Sequence, residues 1–248
     1  MDAATGKLLG EHQFPATAAG YQAILAFVFT FGPVLRFGVE GTNSYGAGLT
    51  RHLLAAGVEV REVIRPSRAA RRLRGKSDPL DAITAAQAVL AGEDLPVPKS
   101  SDGPVESIRV LNLVRDSAVK ARANVLRQIA MLLVSAPAPQ REKLQKLGEK
   151  ALLDTLCHAR PADPASGVDH ATATALRHLA RRHRHLTEEI DDITGQLYVL
   201  VEHVNPALLA AAGVGVVSAA QLLITVGDNP QRITSKAAFA ALTGTSPI

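Results

Sequence analysis

Cysteine is nearly missing from this chain: Cys157 is the single one in 248 residues. No internal disulfide can form, and the usage suits a reducing cytoplasm. Cys157 itself reads as a small buried apolar residue. Tryptophan is absent and aromatics make up only 4% of the chain. The apolar 47% is therefore mostly Ala, Leu and Val, a mixture that favours helices. Long hydrophobic runs are lacking too. The longest, from Tyr21 to Phe31, falls short of the ~20 residues a membrane-spanning helix needs. No basic-then-apolar leader opens the chain. No glycine-rich phosphate loop follows a strand, so an actin-like sugar kinase or ATPase ranks low.

What remains is a chain long enough for one or two domains. Its net charge is +4 and its isoelectric point near 9.4, which suggests a polyanion partner without requiring one. The first part alternates between strand and helix patterns. Leu8 to Phe14 reads as a strand ended by Pro15. Thr17 is placed to cap a helix running to about Phe31. The apolar run Val34 to Val39 then reads as a buried strand closed by Glu40. A helix ending at Gly57 follows, and Val58 to Ile64 alternates as a strand. This order predicts an α/β layer with parallel pairing. Tyr45 is expected to pack at a helix start.

Two features here carry possible chemistry. Asp78 and Asp81 stand three residues apart where a helix begins, so they share a face. With Glu40 at a strand end, they can converge on a hard divalent cation such as Mg²⁺. Capping explains the same residues without a metal: Asp78 as N-cap, Pro79 in the first turn, Asp81 favouring the helix dipole. The second feature is the basic run Arg61, Arg65, Arg68, Arg71, Arg72, Arg74 and Lys76. It reads either as a solvated face or as a phosphate-backbone contact. A linker rich in proline and polar residues follows, to Pro104.

The second half is helical. Ile108, Leu111, Val114, Ala118, Ala121, Val125, Ile129 and Leu132 recur at helical spacing over 105–134. Short helices are expected near 140–147 and 149–158, then a long one from His170 to Val204. Two long helices around a small helical insert predict an antiparallel coiled-coil arm. His178, His183 and His185 have poor metal spacing and read as surface residues or part of a basic stripe. In the tail, Gly213-Val214-Gly215 lies between two apolar helical stretches. It is either a helix-hairpin-helix turn whose amides bind a phosphate, or simply a tight turn.

Taken together, Val39-Glu40-Gly41-Thr42, Ser44-Tyr45-Gly46, Lys76-Ser77-Asp78, Asp81-Ala82, the two long helices, Gly213-Val214-Gly215 and Gly244-Thr245-Ser246-Pro247 resemble insertion-sequence transposases of the IS-one-ten type, also called DEDD transposases. The resemblance covers nearly the whole chain. It implies a RuvC-like, RNase H-like N-terminal domain in which four acidic residues bind divalent metal. Glu40, Asp78 and Asp81 match the second, third and fourth. It also implies a C-terminal serine nucleophile, Mg²⁺ or Mn²⁺ as cofactor, DNA at element ends and target, a structured element-encoded RNA, and a homo-oligomer with no membrane partner.

The expected layout is α/β plus α. Residues 1–98 form the RNase H-like domain, 104–204 the coiled-coil region, and 205–248 the start of the transposase domain. The family's first aspartate and its serine have no counterpart, and neither Asp2 nor Ser246 takes their roles. The expectation is thus a chain shortened at both ends, missing the first strand, that binds nucleic acid and metal but does not itself carry out strand transfer. The alternative is a non-catalytic nucleic-acid-binding or dimerising remnant.

Overall fold

The structure is a computed structural model that describes residues 1–63, 78–92, 95–160, 163 and 167–245, leaving aside the side chains of 78–80 and 232. The chain divides into two compact units. One holds 1–106 with 223–248, the other 107–222. The described residues are mostly helical, with one small parallel sheet.

In the first unit, α1 spans Ala18–Phe29. Thr17 caps it as expected: its hydroxyl accepts the Gly20 N–H at 3.2 Å, satisfying one orphan donor of the first turn. Strand β1 (Phe37–Glu40) and strand β2 (Val60–Val63) pair in parallel, joined by α2 (Ala47–Ala55). Phe37 stands opposite Val60 and Glu40 opposite Val63. Side chains alternate along a strand, so the sheet has two faces. On one, Val39 and Val60 pack with Leu53, Leu25 and Leu49 from α1 and α2. On the other, Val63 packs with Ala85, Ala88, Val89 and Leu95. Helix α3 (Asp78–Leu90) supplies most of that second layer. Helices on both faces of a parallel pair are the α/β arrangement the sequence predicts.

Leu8 to Phe14 departs from its expected strand. It forms no ladder. Its rings turn to α1 instead: His12 stacks edge-on to Phe14 at 4.6 Å, and Phe14 lies 5.7 Å from Phe27. A strand exists only by pairing, and aromatic contact with a helix holds this segment in its place.

The linker is also more ordered than its composition suggests. Leu95 and Pro98 are buried. The Glu62 N–H donates to the Pro96 carbonyl at 2.9 Å, so the linker runs along the outer edge of β2. From the tail, Asp228 reaches the start of α4 (Pro104–Ser135). Its carboxylate accepts the Val105 N–H at 2.8 Å and the Glu106 N–H at 3.1 Å. Asn229 donates to the Pro98 carbonyl at 2.8 Å, and Lys99 donates to the Ile224 carbonyl.

The second unit is helical. It contains most of α4, then α5 (Ala138–Leu144), α6 (Glu149–His158), α7 (Val168–Val204), α8 (Pro206–Ala210) and the start of α9 (Val216–Val226). Its core joins Val125, Ile129 and Leu133 of α4, Leu156 and Cys157 of α6, and Leu176 and Ala180 of α7. Cys157 is buried, as its size and polarity suggested. Arg115 Nε donates to the Thr194 hydroxyl at 2.9 Å, and an Arg122 N–H donates to Thr187 at 3.4 Å. A step forward along α4 is an equal step back along α7, so the two pack antiparallel.

The seam differs from the expected stripe. Val114 is 43% exposed and Ala121 also faces out, whereas Asn112 and the half-buried Arg115 and Arg122 lie inward. The hydroxyls of Thr187 and Thr194 make those polar positions tolerable, since each guanidinium finds an acceptor. Helix α10 (Lys236–Thr243) follows in the tail. Its Ser235 hydroxyl accepts the Ala238 N–H at 3.0 Å.

Candidate functional site

Glu40 is the last residue of β1 and is half-buried. Gly41 follows with φ +66°, a left-handed turn that ends the strand at once. The turn is held from within: the Gly41 carbonyl accepts the Ser44 N–H at 2.8 Å and the Gly46 N–H at 3.0 Å. Thr42 is 1% exposed, and its hydroxyl has no hydrogen-bond partner among the described residues. Tyr45 does not pack at the helix start; it is 95% exposed.

Gly38, two residues before Glu40, fixes which face the carboxylate is on. A Cβ built at Gly38 would stand 2.7 Å from the Ala85 carbonyl oxygen and 2.8 Å from Val89 Cγ2. Gly38 thus lies under α3, and Glu40 shares its side of the strand. On α3, Asp81 is half-buried and stands one turn before Ala85, on the same stripe. Glu40 is thus on the strand face that meets α3, and Asp81 is on the helix stripe of Ala85. Asp78 is described in its backbone alone, as the first residue of α3. Among the described residues no group of three or more His, Cys, Asp or Glu side chains is poised to hold a metal ion.

Asp2 is engaged elsewhere. Its carboxylate accepts the Thr5 hydroxyl at 2.6 Å and the Thr5 N–H at 2.8 Å. Those hydrogen bonds hold its pKa below the usual 3.8. The carboxyl is consumed by its own turn.

Of the basic run, Arg61 is also consumed locally. It meets the Glu59 carboxylate at 2.7 Å and donates to the Leu95 carbonyl at 3.1 Å. Arg65, Arg68, Arg71, Arg72, Arg74 and Lys76 lie outside the described residues. Gly213 and Gly215 form an open turn between α8 and α9. Gly213 has φ +80°, and nothing lies within 4 Å of a Cβ at either position.

Reading the sequence missed the Asp228 clamp and the close approach at Gly38. A signal for the first was present: Gly227-Asp228-Asn229-Pro230 is dense in turn and capping residues. None existed for the second, because the residues Gly38 meets are distant in sequence.

None of the described helices is long and apolar enough to cross a membrane. No match was found among curated proteins. The family model for DEDD transposases of the IS110 type, described as a transposase, matches residues 1–136, more than half of the chain. The chain belongs to this transposase family, whose members act on DNA in transposition and generally use divalent metal.

Proposed function

We propose that Glu40, Asp78 and Asp81 form the metal-binding centre of an RNase H-like, RuvC-like transposase domain, with Mg²⁺ or Mn²⁺ as its cation. The observation that supports this reading is the close approach of Gly38 to Ala85: Glu40 is on the Gly38 side of β1, and Asp81 is on the Ala85 stripe of α3. Carboxylate oxygens suit hard cations of this kind. When bound, such ions stabilise the charge that develops on phosphodiester oxygens. The chain's own residues supply the geometry. Gly38 lets the α3 backbone come close to the strand, and the Gly41 turn leaves Glu40 at the strand's end.

The arginines Arg65, Arg68, Arg71, Arg72 and Arg74, with Lys76, would contact the phosphate backbone of element-end and target DNA, or of an element-encoded structured RNA. Gly213 and Gly215 would let a phosphate approach the turn amides before α9. The antiparallel α4–α7 pair reads as a coiled-coil arm, and the working form as a homo-oligomer in the cytoplasm.

Calorimetric titration with Mn²⁺ tests the centre. Glu40→Gln and Asp81→Asn should each weaken binding by at least the ~10-fold that even an outer-shell change costs. If Asp78→Ala and Asp81→Ala leave Mg²⁺ and Mn²⁺ binding unchanged while DNA binding persists, the chain is instead a non-catalytic nucleic-acid-binding or dimerising protein. The chain matches three of the four acidic positions that the resemblance implies, so we expect it to bind metal and DNA without completing strand transfer. Recombination by the purified chain would overturn that expectation.

A further inference from the structure

The first half of α7 carries a second concentration of positive charge, and it lies beyond the family match at 1–136. Between Asp169 and Glu188 there is no acidic residue, while Arg177, His178, Arg181, Arg182, His183, Arg184 and His185 crowd the middle of that interval. Their directions differ. At 3.6 residues per turn, His178, Arg181, Arg182 and His185 fall within roughly a third of the helix circumference. That arc lies opposite Leu176 and Ala180, which are fully buried in the core. All four are exposed.

Their bonding is unlike that of the arginines on the seam. Arg115 and Arg122 are satisfied by threonine hydroxyls. Arg184 leans toward Glu188 at 3.9 Å, and Arg181 Nε donates to the Cys157 carbonyl at 3.2 Å. His178, Arg182 and His185 have no ion-pair or hydrogen-bond partner among the described residues. Arg181 and Arg182 carry fixed charge on this arc, the two imidazoles stand three and four residues from them, and no carboxylate lies within four residues of either arginine along the helix. An ordinary solvated face would intersperse signs. This one segregates them, with Glu188, Glu189, Asp191 and Asp192 grouped just beyond.

We infer that the His178–Arg181–Arg182–His185 arc is a docking stripe for the phosphate backbone of duplex DNA, additional to the basic run between β2 and α3. Charge complementarity selects the occupant. A phosphate backbone is a regular row of negative charges that supplies the acidic partner α7 does not give Arg181 and Arg182, and neutralising phosphates releases counterions. The four side chains lie along one exposed face of the helix. Such a surface reads backbone and not sequence. The inference rests on the reading of this chain as a DNA-handling transposase.

The test uses the full chain and a fluorescent DNA duplex of mixed sequence, with affinity measured over a series of salt concentrations. Arg182→Gln should reduce the slope of log affinity against log salt by about 1, and Arg181→Gln/Arg182→Gln by about 2. Lys236→Gln, exposed on α10 and matched in charge change, should leave the slope alone. Thermal midpoints equal to the parent's confirm that the helices remain folded. An unchanged slope in the double variant overturns the stripe.

Arg71→Gln/Arg72→Gln is run in parallel. If it lowers the slope and the stripe variants do not, the stripe fails while the transposase reading stands. If no variant alters DNA binding, the wider reading fails with it. Two further outcomes also overturn the assignment. One is a loss confined to duplex RNA. The other is a fall in oligomer mass without a change in DNA binding, which would make the acidic half of a second copy's α7 the occupant.

Discussion

Gly38 has a hydrogen where any other residue carries a carbon, and that difference sets the separation of β1 and α3. The Ala85 backbone cannot yield as a flexible side chain can, because it is part of a helix. Gly38→Ala should therefore force α3 outward, at a cost of about 1–3 kcal/mol as in other overpacked cores. A lower thermal midpoint together with weaker Mn²⁺ binding is the expected result. An unchanged midpoint would mean that α3 can shift outward without cost. Glu40 itself was legible in the sequence, because an apolar run of strand length ends on it. The approach of the Ala85 backbone to Gly38 was not. A strand and a helix that meet through tertiary packing leave no local mark on either sequence.

At the level of elements, helix starts were the most readable features. Thr17 caps the helix that follows it, since a short hydroxyl side chain before an apolar run has few other uses. The cap on α4 was hidden because its acceptor, Asp228, comes from the far end of the chain. Replacing Asp228 with Ala should cost about 1 kcal/mol, in line with other capping residues. Amide hydrogen exchange at Val105 and Glu106 should rise selectively, whereas exchange in the middle of α4 should not.

The core seam of α4 was read one position out of phase in places. Periodicity weighs apolar residues only, and here arginine and asparagine take inward positions.

His183, on α7, gives the helical unit a pH signature. Burial, and then the Arg122 charge, hold its pKa below the usual 6.5, with Glu149 opposing. The neutral ring is thus favoured in the folded state. Its contribution to stability is complete above the unfolded value and is lost as pH falls below 6.5 through the lowered folded one. Thermal midpoints at about pH 7.5 and about pH 5.5 should therefore differ more for the parent chain than for His183→Gln. Equal differences would assign the acid sensitivity to other groups.

For the molecule as a whole, the α/β part and the helical part follow from composition and periodicity, and family membership follows from motif order. Convergence of Glu40, Asp78 and Asp81 on one cation is the proposed step, and capping accounts for two of the three equally well. Metal linkage separates these readings without any reaction. A ligand that binds only the folded state raises its stability, by about 2.7 kcal/mol at a hundredfold excess over Kd. Mg²⁺ should accordingly raise the thermal midpoint of the parent chain more than that of Asp81→Asn, whose gain falls to about 1.4 kcal/mol or less at the same concentration; an equal shift in both would point to general ionic effects.

The two rungs between α4 and α7, Arg115 to Thr194 and Arg122 to Thr187, are two helical turns apart on each side. Apolar seams forgive sliding, because one leucine resembles another. These rungs do not. Displacing one helix by a heptad would give one arginine the other's threonine and strand the second against hydrocarbon, at Ala180 or Val201. The pair therefore has a single admissible alignment, as a key with two teeth does, and the length of the hairpin is a fixed quantity that the rest of the molecule can be built to.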